Sequence, residues 1–257
     1  MDKAAGKTSH DAVEEVRRST GQKRAGHAGT LDPLATGLLV VALGKAARLL
    51  EFMQDHEKTY EAEFLLGVRT ETDDADGAEL GRGPVPSREE LLAGLAALRG
   101  EILQRPPQYS AVKVDGRRAY RSAREGKAVE IPERRVTVRE LELLDYAPPR
   151  AKVRVRGTKG LYVRSLARDL GGHVTALRRL ESGPFRVQDA GPELLPVDTA
   201  VMHLPEARLS TEEAGRFETG RLVERPTAGP VRVYCGPRFI GVGRPAEGGL
   251  RPWKVIL

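Results

Sequence analysis

Apolar and polar residues change period several times along the 257 residues of this chain, and each change marks an element. Tyr60-Glu61-Ala62-Glu63-Phe64 alternates strictly, the period of a half-buried strand. Leu91, Leu95 and Leu98 recur at helical spacing. Ser87 and Glu90 ahead of them form a capping box, and Gly100 is the stop, so a helix is predicted over Ser87–Arg99. Thr8-Ser9-His10-Asp11 reads as another helix start, with Val13 and Val16 on its inner face and Gly21 at its end. The apolar run Leu38–Leu43, closed by Gly44, predicts a buried strand, and Lys45–Met53 a helix. Val136–Leu144 and Lys152–Arg156 read as strands, and the Ala147-Pro148-Pro149-Arg150 turn between them predicts an antiparallel pair. Gly157–Gly160 is a turn. Val163, Leu166, Ala167 and Leu170 then share a helical face that ends at Gly171-Gly172. Strands and helices mix without a βαβ repeat, which predicts an α+β fold with a mixed, largely antiparallel sheet.

Beyond Ala190, prolines and glycines become frequent. A capped helix is expected over Ser210–Thr219, followed by short strands at Val231–Tyr234, Phe239–Val242 and Trp253–Leu257. The expected division is a larger domain over 1–204 and a small, mostly β domain over 205–257.

The net charge of +6 and sequence pI near 9.5 favour a polyanionic partner, nucleic acid first. The basic residues cluster: eight lie in Lys113–Arg135 against four acids, and seven in Arg150–Arg168 with no acid. One cysteine, Cys235, excludes an internal disulfide framework and a cysteine-rich zinc site. The longest apolar run is too short for a bilayer and the N-terminus has no signal core, so a soluble, cytoplasmic protein is expected. Gly6-Lys7-Thr8 lacks the first glycine of a phosphate-binding loop. Thr72–Gly77 begins like a calcium loop but has Thr at its first ligand position and Gly83 at its twelfth. The five histidines show no ligand spacing. Neither a metal nor another cofactor is expected.

One carboxylate stands out. In GHAGTLDPLATGLL, from Gly26, Asp32 sits alone among small, apolar and turn-forming residues. Asp before Pro is a common turn device. It is also a group that is ionised at neutral pH and nucleophilic without activation; here it is flanked by glycines that let a ligand approach the backbone. A cation and a stacking ring would complete such a site, and Arg164 and Tyr60 are candidates.

The Asp32 stretch resembles the catalytic motif of the TruB family of tRNA pseudouridine synthases. DKAAGKTSHDAVEEVRR, KTYEAEFLLGVRTETDDADG, RPPQYSAVKVDGRRAYRSAREG and GTKGLYVRSLARDLGG are similar to further family segments in the same order. GVGRPAEGGLRPWKVIL is similar to the family's PUA-like C-terminal domain. Two positions depart from the pattern: Ala4 follows Lys3 where the family has proline, and several residues are missing between Gly172 and His173.

The resemblance implies a pseudouridine synthase fold over 1–204 and an RNA-binding PUA-like domain over 205–257. It also implies isomerisation of uridine-55 in the T loop of tRNA by a cofactor-free monomer. It makes Asp32 the catalytic carboxylate, Arg164 its partner and Tyr60 the ring that stacks on the target base. His27 would fill the place of the extruded base, Leu177 would line the pocket, and Lys58 would touch substrate. Lys113, Arg117, Arg118 and Arg121 would grip phosphates. On pattern alone His27 is a turn residue, Tyr60 and Leu177 are core, and Arg164 is a helix-face cation. Two other functions fit the same residues: hydrolysis of a nucleoside glycosidic bond, and non-catalytic RNA binding or tRNA folding.

Overall fold

The computed structural model describes residues 1–256 apart from 111, 115, 120–122, 124 and 126–128. The chain begins β1 (Asp2–Lys3), α1 (Ser9–Thr20), β2 (Ala25–His27), β3 (Thr36–Leu38), β4 (Val41–Leu43), α2 (Leu50–Gln54) and β5 (Lys58–Leu66). It continues β6 (Val68–Thr70), β7 (Glu79–Arg82), α3 (Arg88–Ala97), β8 (Gly100–Gln104), β9 (Lys113–Val114), β10 (Arg117–Arg118), β11 (Arg134–Ala147) and β12 (Arg150–Gly157). Then follow α4 (Val163–Asp169), β13 (Gly172–Ser182), β14 (Phe185–Arg186), β15 (Glu206–Leu209), α5 (Thr211–Glu218), β16 (Val231–Cys235), β17 (Arg238–Ala246) and β18 (Gly249–Val255).

These elements form two compact units. The first comprises Met1–Ala12, Gly29–Val40 and Asp55–Gly191. Its centre is an eight-stranded sheet in the order β1-β3-β13-β5-β12-β11-β8, with β14 against β13. Every pairing is antiparallel except β13 with β3. The alternation in β5 buries Tyr60, Ala62, Phe64 and Leu66 and leaves Glu61 and Glu63 half-buried. Val153 and Val155 of β12 and Val174 of β13 join that core. The Ser87–Glu90 capping box starts α3, an arrangement worth about 1 kcal/mol at the cap residue. Leu91 and Leu95 turn inward, as their spacing predicts.

The apolar run Leu38–Leu43 is not one strand. Its first residue ends β3, and its last three form β4 in a different sheet, paired with β2. Gly37 has φ +98°, and a Cβ there would overlap the Arg179 carbonyl and stand 2.8 Å from the Arg179 nitrogen. That close approach of β3 to β13 requires glycine at 37; β3 ends at Leu38, although the Leu39 amide still donates to the Met1 carbonyl at 3.0 Å.

The second unit comprises Val13–Ala28, Val41–Gln54 and Pro192–Leu257. It contains a four-stranded sheet in the order β15-β16-β17-β18. Phe217 of α5 packs with Val233, Ile240 and Leu250 in its core. The sequence pattern misses β15, a four-residue strand that buries only Ala207 and Leu209. It also begins the last strand at Trp253 rather than Gly249. Phe52 of α2 meets Trp253 edge-on, with ring centroids 4.9 Å apart.

Candidate active site

Asp32 opens a turn: the amide of Ala35 donates to the Asp32 carbonyl at 3.0 Å. Three buried polar side chains fix the loop that carries it. The Ser9 hydroxyl donates to the Leu31 carbonyl at 3.0 Å and accepts from the Leu31 amide at 2.8 Å. The Lys3 ammonium donates to the carbonyls of Ala4, Lys7 and Pro33 at 2.9, 2.7 and 3.4 Å. Arg179 of β13 donates to the carbonyls of Leu38, Gly29 and Thr30. Lys3 sits behind the departure at Ala4, and its side chain is 1% exposed. The carboxylate's place therefore follows from side chains that satisfy the loop's backbone groups.

The Asp32 carboxylate faces Arg164 of α4. Arg164 Nη2 donates to Oδ1 at 3.1 Å, and Nε stands 3.0 Å from Oδ2. Arg164 is 3% exposed, which excludes a solvated helix-face cation. Its remaining donors reach the Thr72 carbonyl at 2.9 Å, the Tyr109 carbonyl at 2.9 Å and, through Nη1, the Asp74 carboxylate at 3.2 Å. One planar cation thus joins two carboxylates and two carbonyls, a fork that lysine cannot copy. Desolvation raises the Asp32 carboxyl above its ordinary value. Arg164 opposes that shift and Asp74 adds to it.

Asp74 is the residue the sequence reading misses. It lies in TDDADG, a run whose spacing fails for calcium but whose second acid is 4% exposed and ion-paired. Its Oδ1 accepts from the Thr72 hydroxyl and from the Asp76 amide. Asp73 beside it, at φ +59°, pairs with Arg168 at 2.9 Å. Tyr162, at the start of α4, is a second addition. Gln104 clamps its backbone at 3.1 and 2.9 Å, and Arg134 lies 5.8 Å from its ring centre. Burial raises its hydroxyl, Arg134 opposes this, and both Asp32 and Arg164 are close enough to act on it.

Tyr60 lies on β5, 9% exposed, with Arg179 of β13 and Val155 of β12 as its strand partners. Leu177 lies opposite Ala62 and is 8% exposed. Lys58 begins β5 and donates to the His56 carbonyl at 2.6 Å. Burial first, and then Arg179, lower its ammonium to about 8. His27 ends β2 opposite Val41, in the second unit. Lys113 and Arg118 pair across the β9–β10 hairpin, whose Arg117 is exposed; Arg121 lies outside the described residues. A cavity of about 770 Å³ opens beside the Asp32 loop, lined by Pro33, Leu34, Ala62 and Leu177 among others. Asp32 and Arg164 do not line it.

The basic run Arg150–Arg168 behaves differently from its composition. Arg150 pairs with Glu63, Lys152 and Arg154 with Glu61, Arg156 with Glu57, and Lys159 with Asp55. The first four are the alternate charged positions of β12, facing acids on and just before β5, and Lys159 lies just beyond the strand. A run without acids in sequence thus gains acid partners in space.

The profile described as TruB family pseudouridylate synthase (N terminal domain) matches residues 17–163. The chain belongs to this family. A second profile, Pseudouridine synthase II TruB, C-terminal, matches residues 205–256. The chain is similar to the tRNA pseudouridine synthase B of Thermobifida fusca, with 46% identity over all of this chain and 97% of the relative. It is also similar to that of Azoarcus sp., with 40% identity over all of this chain and 93% of the relative. Among solved structures, a Cbf5-Nop10-Gar1 complex aligns at TM-score 0.70 and 25% identity over 95% of this chain and 76% of the other. A structure of an H/ACA RNP bound to a substrate RNA aligns at TM-score 0.73 and 22% identity, over 100% and 83%, and shares the fold. The TruB family membership accounts for the α+β fold with a small β unit after residue 205.

Proposed function

We propose that this TruB-family chain isomerises uridine-55 in the T loop of tRNA to pseudouridine. The observation that carries the reading is the Asp32 carboxylate, held by a buried guanidinium at the tip of a loop fixed on both sides. The names of the full-length relatives supply the substrate class. In the reaction the C1′–N1 bond breaks, the uracil turns over and a C1′–C5 bond forms. The C5 proton leaves and N1 gains one, so no atom is lost and no redox partner is required.

The target base leaves the stack before a carboxylate reaches it, at a cost of roughly a few kcal/mol. Asp32 acts on the ribosyl or uracil carbon, or on the charge that develops there, and Arg164 keeps it oriented. Tyr60 stacks on the base, Leu177 borders it, and His27 occupies the vacated position. Lys58 touches substrate, and Lys113, Arg117, Arg118 and Arg121 bind phosphates. Residues 1–204 act as the catalytic domain and 205–257 as an RNA-binding domain, in a cytoplasmic monomer.

The test is incubation of an unmodified tRNA transcript with the purified protein, followed by mass-tagging of pseudouridine. Position 55 is expected to be tagged by wild type, and Asp32→Asn is expected to bind the transcript without tagging it. Release of free uracil would make the protein a glycosidic-bond hydrolase. Binding by wild type without tagging would make it an RNA-binding or RNA-folding protein.

A further inference from the structure

Arg179 carries no ion pair among the described residues, yet it is a fully buried cation at 0% exposure. An unpaired charge in a core is costly, and an apolar side chain of the same volume would pack there without that cost. What the guanidinium contributes is its fork. Nε donates to the Leu38 carbonyl at 2.7 Å, Nη2 to the Gly29 carbonyl at 3.1 Å, and Nη1 points to the Thr30 carbonyl at 3.5 Å. Gly29 and Thr30 precede Asp32, and Leu38 follows it. One side chain therefore ties together both ends of the loop that presents the carboxylate.

Its own backbone is equally constrained. Arg179 lies opposite Gly37 on β3 and opposite Tyr60 on β5. Gly37 admits no side chain at that distance, and Gly29, at φ +90°, holds a backbone conformation that favours glycine. The glycines and the arginine form one device.

We propose that Arg179 is a positioning residue, which sets the place of the Asp32 carboxylate by clipping residues 29–30 to residue 38, and does not touch substrate. The proposal rests on the reading of Asp32 as the catalytic carboxylate. Lysine keeps the charge but concentrates its donors at one point, so it cannot span both segments.

Arg179→Lys and Arg179→Met, each in the full chain, test this. The readouts are single-turnover pseudouridine formation, tRNA affinity, melting, and amide hydrogen exchange resolved to residues 29–38. Both variants are expected to keep the wild-type affinity and the exchange protection of β5 and β12. Both are expected to lose protection across 29–38 and to react about 100-fold more slowly, the size of loss an ångström of misplacement gives. Unchanged protection at 29–38 overturns the proposal. So does a rate that falls only with the folded fraction, and so does global unfolding of both variants, which would make Arg179 a residue that holds the sheet. If wild type itself forms no pseudouridine, the functional reading fails, and the exchange arm still decides whether Arg179 clips the loop.

Discussion

Arg164 turns Nη1 to Asp74, 3.2 Å away, while its Nε and Nη2 face Asp32. The guanidinium is buried between two carboxylates separated by 42 positions in sequence (Asp32 and Asp74), on a helix that begins far from both. Its orientation therefore depends on both acids, and so does the carboxylate it orients.

Asp74→Ala removes the second anchor. Arg164 keeps Thr72 and Tyr109 as carbonyl partners but loses its charged one on that side. The expected outcome is a single-turnover rate lower by about 10- to 100-fold, with tRNA affinity unchanged, because misalignment acts on the chemical step. Rapid-quench measurement alongside a filter-binding assay checks it; an equal loss in both would mean that Asp74 acts through folding or binding.

The same triad sets a pH dependence. Desolvation raises Asp32, so the acid limb of the rate should lie above that of an ordinary carboxylate. Arg164 opposes the shift and Asp74 adds to it. Arg164→Met should therefore move the limb to higher pH, and Asp74→Asn should move it lower. Stability runs the other way. Folded Asp32 holds its proton where the unfolded chain has released it, so its contribution falls as pH rises from the ordinary carboxylate value through the raised one. Asp32→Asn should lack that slope in a melting series across the window. Limbs that coincide in all variants would separate Asp32 from the rate.

Salt dependence distinguishes the two basic stretches. The β12 cations are paired with acids on or just before β5, whereas Arg117 on the hairpin is exposed. Each phosphate contact contributes about −0.9 (duplex) or −0.7 (single strand) to the log–log slope of binding against salt. Arg117→Gln and Arg118→Gln are each expected to flatten the slope by about that amount. Arg154→Gln should flatten it less, since Glu61 already compensates part of its charge. Titrations at several salt concentrations decide the point, and a response from Arg154 equal to that of Arg117 would return the β12 run to the interface.

Much of this arrangement was legible in the residues. The alternation Tyr60–Phe64 and the Ser87–Glu90 box specify their elements through local period and capping, and both formed as read. Leu38–Leu43 misled because an apolar run carries no sign of which neighbour each residue will pair with; the strand that ends at Leu38 pairs with Arg178 and Arg179, about 140 residues away. Asp32 stood out as a lone acid in an apolar stretch. Asp74 did not, because it lies among other acids and gains its role only when α4 brings Arg164 to it. The ion pairs of the β12 cations were not legible either: their acid partners sit some 90 positions earlier, and only the strand register joins them.

The ring and the hydroxyl of Tyr60 have separable roles. At 9% exposure on β5, it is buried enough to be core and lies directly opposite Arg179, whose side chain holds the Asp32 loop. Tyr60→Phe keeps the ring, its packing and any stacking on an extruded base. Tyr60→Leu removes the ring, and with it roughly 1–3 kcal/mol of stacking on a single-stranded base. If the hydroxyl takes the proton from C5 after the new bond forms, the Phe variant should melt and bind tRNA like wild type yet turn over very slowly. The rearranged base should then accumulate on the enzyme. The Leu variant should lose turnover and bind the tRNA less tightly as well. A tyrosine that only fills the core gives a different pair: a Phe variant of full activity, and a Leu variant harmed in proportion to its lower melting temperature. Single-turnover rates and melting curves on both variants therefore assign the side chain, and full activity in Tyr60→Phe would remove the proton-transfer role.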